Sequence, residues 1–182
     1  KILNEKYFLV CGPYSGKKSE KNKICIPSIS LNDWFTEWSE TKKYHKSINY
    51  LMFLVLPLVF TFGLMIDIVL KKILKNISGS KWSWCFLSLP IVLCLSALIK
   101  PKKILATGGP TAAHLIATIV GKILNIEVIC ELQDPIISPS KSKNEVKSRI
   151  AKKLENFIIH NSKKTIFVTK AASISAKVRN KY

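Results

Sequence analysis

Apolar positions change their period several times along the chain, and each change marks an element. Ile104, Leu105 and Ala106 form a short apolar run that stops at Gly108-Gly109-Pro110, which predicts a strand running into a turn. Thr111 is placed to cap the helix after that turn. Ala112, Leu115, Ile116, Ile119, Val120 and Ile123 then recur at helical spacing, with His114, Thr118, Lys122 and Asn125 falling on the polar side. Ile126 to Cys130 reads as a buried strand, followed by a loop carrying Gln133-Asp134. A strand, helix and strand of these lengths make a right-handed crossover onto a parallel sheet.

Further along, Pro135 to Lys143 is a Ser/Pro/Lys loop, and Ser142-Lys-Asn-Glu145 has the form of a capping box. It opens an amphipathic helix with Val146, Ile150, Leu154, Phe157 and Ile158 on one face. Lys164 to Thr169 predicts another strand, and a last helix starts at Lys170. Alternation of this kind defines an α/β class with a Rossmann-like, doubly wound parallel sheet. Ligands of such sheets bind beyond the carboxyl ends of the strands, where the glycine turn and the Gln133-Asp134 loop both fall.

The first hundred residues read differently. Tyr7 to Cys11 predicts a strand ending in the turn Gly12-Pro13-Tyr14-Ser15-Gly16, and Ile24-Cys-Ile26 a short edge strand. Trp34, Phe35 and Trp38 have the i, i+4 spacing of a short helix. Two apolar blocks, Leu51 to Ile66 and Trp84 to Ile99, lie within an apolar helical insertion over 48–100. Lys71, Lys72 and Lys75 follow the first block, and Lys100, Lys102 and Lys103 the second. Both fall short of the ~20 residues that span a bilayer, and Pro57, Gly63 and Pro90 interrupt them. Helices packed on the sheet, a hairpin dipping into a membrane, and true spans are the three readings, in descending order.

At 182 residues the chain suits one domain, 1–182, able to bury a sizeable core. It opens at Lys1 without a secretory-signal pattern and ends inside a helical pattern, so both ends are expected to continue in a longer protein. The net charge of +18 draws it to anionic surfaces, including acidic lipid headgroups. Arg149 and Arg179 are the only arginines among 29 basic residues, and aromatic and basic residues do not interleave, which argues against nucleic acid as a partner. The five cysteines, Cys11, Cys25, Cys85, Cys94 and Cys130, show no CxxC spacing, which suits a reduced, cytoplasmic setting without a zinc site. Cys94 and Cys130 sit in apolar runs, where cysteine acts as a small hydrophobe.

In order and spacing, Ile104-Leu-Ala-Thr-Gly-Gly-Pro-Thr-Ala-Ala-His-Leu115, Glu131-Leu-Gln-Asp-Pro135 and Ile166-Phe-Val-Thr-Lys-Ala-Ala172 resemble the N-terminal domain of a family 4 glycosyltransferase. Phe8 to Tyr14 is similar to that domain's second strand and turn, while residues 17–100 match poorly. The resemblance implies the acceptor-side half of a GT-B architecture. Such an enzyme moves a sugar from a nucleotide-diphosphate sugar to an acceptor hydroxyl, with the nucleotide sugar as substrate and no cofactor or metal. The acceptor would be a glycan or be carried on a polyprenyl phosphate, the latter accounting for the basic charge and the apolar blocks together. The setting would be cell-surface polysaccharide or lipopolysaccharide synthesis, with the protein peripheral on the inner face of the plasma membrane.

The residues then expected at the acceptor cleft are Gly108, Gly109, Pro110, Thr111, His114, Gln133, Asp134, Thr169 and Lys170. No catalytic residue stands out. The glycines allow close backbone approach to an anionic group at a helix start, or form a plain turn. His114 either bonds ligand hydroxyls or is a solvated surface histidine, the latter favoured. Gln133 stands where related enzymes often present histidine or arginine, and it cannot carry charge or shuttle a proton. Asp134 before Pro135 also suits a turn-former. Lys170 is placed for a phosphate, or is one lysine among many. The rival reading is a non-catalytic, membrane-seated subunit that docks a separate catalytic chain.

Overall fold

The computed structural model describes residues 9–11, 23–26, 61–63, 65–66, 68–69, 72–73, 82–108, 110–133, 136–137 and 145–180. Gly12 to Gly16, the Trp34-Phe35-Trp38 group, most of the first apolar block and the Ser142 capping box lie outside them. Two short strands, β1 (Leu9–Cys11) and β2 (Lys23–Cys25), pair in parallel as a two-stranded sheet. Helix α1 (Trp84–Ile99) coincides with the second apolar block. From there the chain alternates: β3 (Lys103–Gly108), α2 (Thr111–Leu124), β4 (Glu127–Leu132), α3 (Glu145–His160), β5 (Lys164–Phe167) and α4 (Lys170–Asn180).

Strands β3, β4 and β5 form a parallel sheet in chain order, with Gly108 beside Leu132 and Leu132 beside Phe167. Because every parallel step needs a crossover, α2 and α3 are the connections. Strands added in one direction put both helices on one face, and α2 packs on β3, β4 and α3. The core lies between, built from Ala106, Val128, Cys130 and Leu132 on the strands and Ala112, Ile116, Ala117, Val120, Ala151 and Ile158 on the helices. On the opposite face Leu105 is 63% exposed, and Thr107, Lys164 and Ile166 are exposed too. Among the described residues the sheet is thus covered on one side, and the mixed α/β class with a parallel sheet is what the structure shows.

Helix α1 runs along α2. Its first turn holds the N-terminal sheet, since the Trp84 indole Nε1–H donates to the Ile26 carbonyl at 2.8 Å, with both residues buried. Helix α2 ends where Asn125 takes φ 53° and the Ile126 N–H reaches back to the Gly121 carbonyl at 2.8 Å. Such a left-handed reversal is the usual helix stop, and asparagine tolerates it. Cys130 is buried as a small hydrophobe, whereas Cys94 is exposed on α1. An apolar neighbourhood in sequence did not bury Cys94, because its side of α1 faces outward.

Candidate functional site

Strand β3 ends with Thr107 and Gly108, and Gly108 sits at φ +113°, which only glycine adopts without strain. A side chain there would find room, its nearest neighbour being Pro110 Cδ at 3.6 Å, so the dihedral rather than crowding requires glycine. Pro110 precedes the helix with φ −70° and ψ 115°, and its carbonyl accepts the Ala113 N–H at 3.1 Å. Thr111 is therefore the first helical residue, buried, and not the cap expected of it. The proline's fixed φ suits that boundary position, and Pro110 takes the capping place one residue before the threonine.

His114 corrects a second expectation. It is 1% exposed rather than solvated. Its Nε2 lies 3.1 Å from the Gly108 carbonyl. A carbonyl only accepts, so Nε2 carries the proton and Nδ1 is a bare acceptor. That Nδ1 is buried with no partner among the described residues. Burial pushes the imidazole below its ordinary 6.5, against weaker upward pulls from the Gly108 carbonyl and the Glu131 charge. The physical reason for the misplacement is that Thr111, His114, Thr118 and Gly121 form one stripe, and that stripe faces the sheet. Thr118 returns its hydroxyl to the His114 carbonyl at 2.7 Å and lies 3.9 Å from Cys130 Sγ on β4, while Gly121 abuts Val128.

A neutral buried histidine has a pH signature. Below about 6.5 the unfolded chain takes up a proton that folded His114 resists, so this contribution is present at neutral pH and lost as pH falls. His114→Gln, which keeps a donor for Gly108, is expected to flatten that slope, read as urea midpoints at about pH 7.5 and 5.5. An unchanged slope would mean that His114 takes up its proton equally well in the folded and unfolded chain.

At the same strand ends the structure brings together two residues that the sequence reading missed. Thr107 and Glu131 are register partners on β3 and β4, and the Thr107 hydroxyl donates to Glu131 Oε2 at 2.7 Å. Both project from the open face of the sheet, Thr107 exposed and Glu131 half-buried. No signal within either strand marks the pair, because it forms only once the register of β3 and β4 is set. Gln133, exposed, lies just past β4, and Val168 donates its N–H to the Leu132 carbonyl at 3.3 Å just past β5. Next in line, the Thr169 hydroxyl accepts the Ala172 N–H at 3.2 Å, so Thr169 caps α4. Lys170 opens that helix, exposed. Gly109 and Asp134 lie outside the described residues.

Read across the sheet, the row of three neighbouring strand ends, ~5 Å apart in backbone spacing, thus runs from Thr107–Gly108 through Glu131–Gln133 to Thr169–Lys170 just beyond β5. Such strand ends are where ligands of parallel α/β sheets bind, and backbone N–H groups at the α2 N-terminus are donors suited to an anionic group. Set against models of protein families, against curated proteins and against solved structures, the chain matches none of them.

Proposed function

We propose that this chain is the acceptor-side part of a glycosyltransferase of GT-B architecture, with a doubly wound sheet. It would transfer a sugar from a nucleotide-diphosphate sugar to a hydroxyl of a glycan or of a polyprenyl-phosphate-linked acceptor. The observation that carries this reading is the row at the carboxyl ends of the three parallel strands, with the Gly108 turn at one end and Lys170 at the other. The chain's residues in that row would position the acceptor: Glu131 and Gln133 accept from its hydroxyls, and the backbone at Gly108 approaches it closely. Supporting the same reading is the run of motifs from Ile104 to Ala172. The setting that fits is the cytoplasmic face of the plasma membrane, in cell-surface polysaccharide or lipopolysaccharide synthesis. Among the described residues no helix is long and apolar enough to cross a membrane.

The test is transfer by the full-length protein, in membranes supplied with polyprenyl-phosphate acceptors, from a panel of radiolabelled nucleotide sugars. Glu131→Gln and Gln133→Ala are expected to raise the acceptor KM or lower kcat/KM by about tenfold to a hundredfold, the cost of a lost hydrogen bond to a charged or buried partner. No transfer from any donor by a folded protein would sink the proposal and leave the docking-subunit reading in its place.

A further inference from the structure

Helix α1 is apolar on both sides: Trp84, Leu87, Leu89, Val92 and Leu93 belong to or pack against the core, and other large apolar side chains face outward. It has no charged residue from Trp84 to Ile99. It turns Trp84, Ser88 and Ser96 inward, and the Ser88 hydroxyl is buried without a partner among the described residues. Outward it shows Phe86 at 52%, Ile91 at 38%, Leu98 at 80% and Ile99 at 48% exposure. A helix that is apolar all round, with large side chains left facing outward, is the arrangement of one whose outer face meets something other than water. The described helical residues between 61 and 73 repeat it: Gly63 is buried while Phe62, Met65, Ile68, Val69 and Ile73 are exposed.

Length and charge decide what covers this face. Sixteen residues span ~24 Å, short of the ~30 Å hydrocarbon core, so α1 lies along a leaflet rather than through it. Exposed Lys100, Lys102 and Lys103 follow its carboxyl end. A second copy of a chain carrying +18 would bring two basic edges together, whereas an anionic leaflet complements them. Position adds a consequence. Cys85 Sγ lies 3.9 Å from the Ala112 carbonyl, so the first turn of α1 abuts the first turn of α2, beside the Gly108 turn.

We propose that Phe86, Ile91 and Leu98 of α1 lie in the plane of an anionic phospholipid leaflet, with Lys100, Lys102 and Lys103 on its headgroups, holding the glycine turn at the membrane surface. That this seat delivers a lipid-carried acceptor rests on the glycosyl-transfer reading; the seat itself does not.

Flotation of the full chain with phosphatidylglycerol–phosphatidylcholine vesicles, and with phosphatidylcholine alone, tests it. Binding is expected to the anionic vesicles and to weaken with salt. Phe86→Gln, Ile91→Gln and Leu98→Gln combined leave the charge unchanged and should weaken binding by about a hundredfold. Lys100→Gln and Lys102→Gln should cost roughly fivefold each and flatten the salt dependence. Val178→Gln, at an exposed apolar site on α4, should change nothing. Wild-type affinity in the triple variant, with its circular dichroism unchanged, overturns the proposal. So does equal binding to neutral vesicles, or a chain that ignores vesicles and runs as a dimer. Transfer to a short-chain, water-soluble acceptor runs alongside: vesicle binding as expected without any transfer defeats the glycosyl-transfer reading and leaves the seat standing.

Discussion

Gly121→Ala is expected to destabilise the fold by about 3 kcal/mol, although the same change in an open helix gains about 1 kcal/mol. Gly121 is buried on the sheet-facing stripe of α2. A Cβ built there overlaps Val128 Cγ2 on β4 and comes within 2.9 Å of the Ile126 carbonyl oxygen. Neither neighbour can yield. Val128 is 1% exposed in the middle of the core, and Ile126 is backbone tied to the reversal at Asn125, where its own N–H bonds the Gly121 carbonyl. Relief would need α2 to lift from the sheet, which would loosen Val120, Ala117 and Cys130 together. Urea unfolding followed by far-ultraviolet circular dichroism checks this, and a stabilised alanine variant would mean that α2 does not pack on β4 at this distance.

Arg179→Ala is expected to cost a further class of energy, about 3–5 kcal/mol, by removing the two-point partner of a buried carboxylate. Glu155 on α3 is 1% exposed, and the Arg179 guanidinium on α4 meets both its oxygens, Nε at 2.9 Å and Nη2 at 2.7 Å. This two-point contact is the arginine geometry that lysine cannot copy, so Arg179→Lys should recover part of the loss only. Glu155→Leu with Arg179→Leu should recover most of it, because removing both partners leaves no unpaired charge. A thermal or urea midpoint for the four proteins settles the order. An alanine variant as stable as the wild type would show that water reaches Glu155.

The elements from Trp84 onward were legible because their periods are clean. An uncharged run of 16 residues marks α1, and β-branched residues bounded by glycine and asparagine mark β3 and β4. What escaped was which face of α2 is inside. Counting apolar positions put His114 and Thr118 in water and Ile123 in the core, yet the two polar residues are buried and Ile123 is 60% exposed. Helix α2 is covered by α1 and by the sheet, so periodicity finds its largest side chains and not its closest approach. Small and hydroxylic residues take the tight sheet-facing stripe because their polar atoms are satisfied within the helix, as Thr118 does on the His114 carbonyl. The Thr107–Glu131 pair escaped for another reason: it exists only across strands, and register is a tertiary fact.

The strand order also says something about self-association. Within the described sheet β3 and β5 are the two edge strands, and the edge of a sheet is a template for another strand. Lys103 begins one edge and Lys164 the other, both exposed. Charged side chains at an edge, lysine above all, are one of the ways natural sheets discourage a further strand. Two lysines that contribute nothing to the candidate site thus guard the flanks of the sheet that bears it.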